Sequence, residues 1–125
     1  YNANPQSMRA AVGMFVARHP DGVLALGDML ELGQSAEEEH TDLGRFVATL
    51  SGRPELVGVG PLSHHTVAGA RDAGMDEART AWFPDATEAT PSVGDRCAGR
   101  ALLLKGSRGM RMERIFDTLS EGQGR

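Results

Sequence analysis

The feature that most constrains this chain is a repeated alternation between short, unbroken apolar runs and longer segments with an apolar stripe. Val23-Leu24-Ala25-Leu26 is closed by Gly27, Leu56-Val57-Gly58-Val59 by Gly60-Pro61, and Ala101-Leu102-Leu103-Leu104 runs into Lys105-Gly106. A strand that is apolar at every position must be covered on both faces, which is the mark of a parallel sheet. Ala81-Trp82-Phe83 reads as a further, weaker strand.

The segments between these runs read as helices. Asn4 followed by Pro5 is a start signal, because the Asn side chain can accept from an orphan backbone N–H and Pro fits the first helical position. That helix is expected to reach about Arg18, with Met8, Ala11, Val12 and Phe15 on its apolar face. Ser35 with Glu38 predicts a capping box ahead of the stripe Leu43, Phe46, Val47 and Leu50. Residues 62 to 73 form a small-residue helix ended by Gly74. The stretch from Asp85 to Gly99 has two rival starts, Asp85 with Glu88 and Thr90 with Pro91. An interior Pro costs about 3 kcal/mol, so a turn and then a short helix from the second start are expected. Met112, Ile115, Phe116 and Leu119 stripe the last helix, and residues 121 to 125 are expected to fray. The fold class is therefore α/β, one domain over 1–125, with a mostly parallel sheet and helices on both faces.

A chain of 125 residues can bury a core without disulfides or a structural metal. Its one cysteine, Cys97, has no internal partner, which fits a reducing compartment, and its setting gives it a packing role. No apolar run approaches the roughly 18 residues of a membrane span. A net charge of −4 gives no bulk attraction to nucleic acid, so any anion site is local.

Right-handed crossovers gather the loops that follow the strands at the carboxyl edge of the sheet. Three such loops contain chemistry: residues 27–33, 60–65 and 105–109. The last sets two glycines, Ser107, Lys105 and Arg108 between a buried strand and a helix amino terminus. This suits an anion, since backbone N–H groups can approach closely and Arg108 or Arg111 can grip a carboxylate or phosphate. A Gly-rich turn with solvated cations accounts for it equally. Asp28, followed by Glu31, reads either as an acceptor for an ammonium or hydroxyl or, more simply, as a helix cap and turn. Adjacent His64 and His65 point about 100° apart on a helix and lack the companions of a metal site. His40 and His19 read as solitary surface residues. Glu37-Glu38-Glu39 sit in a first helical turn, where negative charge compensates the dipole. There is no G-x-x-x-x-G-K-S/T phosphate loop, no G-x-G-x-x-G after a strand and no G-x-S-x-G elbow, so a main phosphate clamp would lie elsewhere.

Tyr1-Asn2-Ala3-Asn4-Pro5-Gln6-Ser7-Met8, then Leu26 to Gly33, then Leu103 to Glu113 resemble, in the same order, three blocks of the Mur ligase family. The similarity is to the branch that joins D-alanyl-D-alanine to UDP-N-acetylmuramoyl-tripeptide. His40 and Val59-Gly60 also fall where that pattern has similar residues. The resemblance implies a Rossmann-like three-layer sandwich. It implies that the chain is the third domain of a bacterial cytoplasmic monomer, without its first strand, beyond an amino-terminal UDP-sugar domain and a central ATPase domain. ATP and Mg²⁺, bound mainly by that central domain, phosphorylate the substrate carboxylate, and the dipeptide amine then attacks the acyl phosphate. Carried over, Tyr1, Asn2 and Asn4 become adenosine or ribose contacts. Lys105, Ser107, Arg108 and Asp28 become candidates for the phosphate or the dipeptide carboxylate. The acidic residue expected before Tyr1 is not in this sequence, so the fragment alone is expected to bind ATP poorly and to be inactive. Another ligase of the Mur or folylpolyglutamate type, and a non-catalytic Rossmann-like binding module, are the competing readings.

Overall fold

In a computed structural model the described residues are 3–123, so Tyr1 and Asn2 lie outside them. The element order is α1 (Pro5–Arg18), β1 (Val23–Gly27), α2 (Ala36–Thr49), β2 (Glu55–Val59), α3 (Ser63–Asp72), β3 (Thr80–Phe83), α4 (Ala86–Arg96), β4 (Leu102–Lys105) and α5 (Glu113–Gln123). The four strands form one parallel sheet in the order β3-β2-β1-β4. The two longest strands, β1 and β2, occupy its centre, where an uninterrupted apolar run is favoured.

Alternate side chains of each strand supply two separate cores. Leu24, Leu26 and Leu56 pack with Met8, Val12 and Val16 of α1, Leu43 and Val47 of α2, and Val67 and Ala70 of α3. Val23, Ala25, Val57 and Val59 pack on the opposite face with Ala86, Ala89 and Val93 of α4 and with Met112 and Ile115 at α5. The result is the expected three-layer α/β sandwich. Cys97, a free thiol, packs beside the second core.

Several local expectations are corrected. Ser35 does not cap α2: a 3-10 turn over Gly33–Ser35 precedes that helix, and the Ser35 hydroxyl donates back to the Leu32 carbonyl at 2.9 Å. The reciprocal cap lies instead on α1, where Asn4 Oδ1 accepts from the Ser7 amide (2.9 Å) and Ser7 Oγ accepts from the Asn4 amide (3.1 Å). Helix α4 takes the earlier start, at Asp85, whose carboxylate accepts from the Glu88 amide at 2.8 Å and leaves Pro91 inside the helix. Burial of Ala86 and Ala89, which only the earlier start makes helical, offsets the proline penalty. Phe116, assigned to the apolar stripe, is 59% exposed, and α5 continues to Gln123 where fraying was expected.

Helices α2 and α3 approach until backbone meets backbone. A Cβ at Gly44 would stand 1.8 Å from the Thr66 carbonyl oxygen, and one at Gly69 would stand 2.3 Å from that of Thr41. At the amino edge of the sheet, Glu55 pairs with Arg96 at 2.7 Å and also with Arg100, clamping the end of α4 to β2.

Two stability measurements check this account. Gly44→Ala must force two helices apart and is expected to lower unfolding free energy in urea by at least about 2 kcal/mol. Pro91→Ala restores a helical N–H at an exposed position and is expected to raise it by roughly 1 to 2 kcal/mol, after allowing for the looser unfolded chain.

Candidate functional site

The three carboxyl-edge loops are fastened to one another by a small set of buried polar groups. Asp28, 2% exposed at the end of β1, turns its carboxylate toward the start of α3. Its Oδ1 accepts from the Ser63 amide (2.8 Å) and hydroxyl (2.7 Å), and its Oδ2 accepts from the Leu62 amide (3.0 Å). Leu62 and Ser63 open a helix that has no side-chain cap of its own, so Asp28 satisfies their orphan donors from another strand. Of its two readings, the geometry matches the cap and turn, since the carboxylate faces into the loop junction.

Ser107 fastens the loop after β4 in the same way. It is buried; its amide donates to the Asp28 carbonyl at 2.9 Å, and its Oγ accepts from the Leu30 amide at 2.8 Å. The hydroxyl lies 3.5 Å from the Ala3 carbonyl oxygen, a long contact. Gly106 makes this fastening possible. A Cβ there would stand 2.9 Å from the Gly27 Cα, so β1 and β4 can end side by side only with glycine at 106.

The anion cradle imagined for residues 105–109 is built differently from the expectation. The loop does not open directly onto α5. A 3-10 turn over Arg108–Met110 intervenes, followed by Arg111 in the left-handed region at φ 52°. The amides of Ser107, Met110 and Arg111 all donate within the fold, to Asp28, Ser107 and Arg108 respectively. Half-buried Lys105 and exposed Arg108 line a cleft of about 450 Å³ together with Ala3, Leu104, Met112 and Phe116. The exposure of Phe116 is explained by this position on the cleft wall.

The remaining expected residues are dispersed. Asn4, exposed, sits at the head of α1 with its Oδ1 committed to the cap. Tyr1 and Asn2 are outside the described residues. His64 and His65 lie side by side at the start of α3; the first meets Trp82 edge-on at 6.1 Å and the second lies 3.8 Å from Glu37. Glu31, like Arg111, is a non-glycine residue with positive φ, 67°. Such strain is tolerated where surrounding contacts over-determine the backbone.

His40 overturns its expected surface position. It is fully buried, with Nε2 accepting from the Met29 amide at 3.0 Å and Nδ1 held 2.6 Å from the Ala36 carbonyl. An acceptor at Nε2 and a donor at Nδ1 define the neutral Nδ1–H tautomer. Beside its place in the family pattern, its helical spacing was a signal: His40 lies three residues before Leu43 and seven before Val47, on the buried face of α2.

The Mur ligase, glutamate ligase domain family matches residues 1–108. UDP-N-acetylmuramoyl-tripeptide–D-alanyl-D-alanine ligase of Escherichia coli is 34% identical over 97% of this chain and 26% of its own length. The Bacillus subtilis enzyme of the same name is 31% identical over 97% of this chain and 27% of its own. Crystal structure II of MurF from Acinetobacter baumannii superposes with a TM-score of 0.83 at 35% identity, covering 97% of this chain and 27% of that one. The chain thus spans about a quarter of the length of the relatives it matches. With the family match running through all three sequence blocks up to Arg108, this chain belongs to the Mur ligase family, to its glutamate ligase domain.

Proposed function

We propose that this domain is the substrate-facing lid of an ATP-dependent ligase that joins D-alanyl-D-alanine to UDP-N-acetylmuramoyl-tripeptide, a step of peptidoglycan precursor synthesis. The observation that carries the reading is convergence. Blocks separated by as many as 104 positions in the sequence meet at Ser107, which contacts Asp28 and Leu30 of the second block and lies beside Ala3 of the first. Two relatives more than 30% identical over nearly the whole chain have this activity in their names.

ATP with Mg²⁺, when bound, supplies the phosphoryl group that activates the tripeptide's terminal carboxylate. Its phosphates would be held by the central ATPase domain of the same polypeptide, because no phosphate loop occurs in this sequence. Here Tyr1, Asn2 and the side-chain N–H₂ of Asn4 are the groups we assign to adenosine. The fit is partial, since the Asn4 oxygen is already committed to α1. In the coupling step the dipeptide amine adds to the activated carbonyl, negative charge grows on oxygen, and phosphate departs. Lys105 and Arg108, on a cleft wall fixed by buried hydrogen bonds, would hold the dipeptide carboxylate or the departing phosphate without reorganising. We assign Ser107 and Asp28 to holding that wall, and no ligand contact. Because both nucleotide-linked substrates belong to the bacterial cytoplasm, so does the enzyme, which we take to act as a monomer. The 125-residue fragment alone is expected to be inactive.

Phosphate release by the full-length protein, with the UDP-linked tripeptide present, is expected to require D-alanyl-D-alanine; release indifferent to the dipeptide would overturn the reading. Lys105→Ala and Arg108→Ala in that enzyme are each expected to lower turnover on the order of a hundredfold while leaving the thermal midpoint unchanged. Near-normal turnover in both would contradict the assignment. Asp28→Asn is expected to act through the fold, lowering unfolding free energy by about 1 to 3 kcal/mol as it turns an amide toward backbone donors.

A further inference from the structure

We propose that His40 is a positioning residue for the same cleft, acting on Lys105 and Arg108 through the loop after β1. The inference rests on the ligase reading above and concerns a residue that touches no substrate. Met29 is fully buried and lies beyond the end of β1, so its amide has no ladder partner; its acceptor is the His40 ring nitrogen. On either side of Met29 stand the groups that fasten the loops: Asp28, which receives Leu62 and Ser63 and whose carbonyl receives Ser107, and Leu30, which donates to Ser107 Oγ. The ring therefore fixes the position of the segment to which Ser107 is tied at two points, and Lys105 and Arg108 flank Ser107. The bond to Ala36, within α2 by one turn, holds the ring in the tautomer whose Nε2 can accept. An aliphatic side chain could fill the same volume, yet it would leave the Met29 amide buried without a partner, and the loop would shift to satisfy it.

The test uses two variants of the full-length enzyme. His40→Gln places an amide oxygen near the Nε2 position and keeps an acceptor for Met29, whereas His40→Met fills the space without one. His40→Met is expected to raise KM for D-alanyl-D-alanine about tenfold, with KM for the UDP-linked tripeptide unchanged, the equivalent of one lost hydrogen bond. His40→Gln is expected to restore most of that loss. Equal KM values in the two variants, or a change confined to the thermal midpoint, would overturn the proposal, because a residue that only holds the core would behave so. Should His40→Met fail to fold, long-range ¹H–¹⁵N spectra of the parent protein decide: a bare Nε2 and a protonated Nδ1 support the proposal, and a proton on Nε2 overturns it. Parent turnover that does not need the dipeptide tells against the ligase reading instead, and is seen before any variant is made.

Discussion

The carboxyl edge of this domain depends on one buried carboxylate that completes a helix other than its own. Asp28 ends the central strand β1, and its two oxygens satisfy the first donors of α3, which follows β2. Its main-chain oxygen in turn receives Ser107, which follows β4. A single residue thus joins the ends of three neighbouring strands. A buried carboxylate is expensive to desolvate and is retained where several donors converge on it. Here three donors do, and all come from one short segment. The arrangement ties the three loops to one another through short hydrogen bonds.

This dependence decides what could be read from the sequence. The strands were legible because complete burial requires an unbroken apolar run, and Val23–Gly27 and Leu56–Val59 satisfy that requirement with no competing signal. The start of α2 was placed correctly, with Ser35 at the N-cap position, but the capping bonds that the Ser35–Glu38 spacing predicts do not form, because the preceding glycine permits a 3-10 turn in which the serine bonds backward to Leu32. The proline penalty at α4 was correctly valued and still lost, since a local term of a few kcal/mol competes with a cap and two buried alanines that only the fold supplies. His40 was misplaced because its acidic neighbours outweighed its helical spacing to Leu43 and Val47. A lone histidine among acidic residues looks solvated until a loop eleven residues away brings an amide to it. Asp28 and Ser107 were singled out for chemistry that suits a ligand, and in the fold that chemistry also holds the loops together, through the amides of Leu62 and Ser63, the Ser63 hydroxyl and the Leu30 amide.

The two edges of the sheet solve different problems. At the amino edge the end of α4 is held by an ion pair, Glu55 with Arg96 and Arg100, in which long side chains bridge the gap between elements. Such a pair tolerates adjustment. At the carboxyl edge the fastening uses backbone groups and short side chains at 2.7 to 3.0 Å, with Gly27 and Gly106 removing the last steric separation between β1 and β4. Short partners in fixed directions leave little slack, so this edge is the stiffer of the two.

Stiffness at that edge is what a lid needs. In the ligase reading, the reacting groups gather only when this domain meets the central one, and the benefit of bringing Lys105 and Arg108 to developing charge depends on their not having to reorganise at that moment. The hydrogen bond from the Ser107 amide to Asp28 and the one that Ser107 Oγ accepts from Leu30, with His40 behind Met29, set the cleft wall before closure. Closure then has to orient a single body. In that reading the buried polar groups hold the wall and contact with ligands falls to side chains at the rim, so the residues most distinctive in the sequence divide into those that hold the site and those that line it.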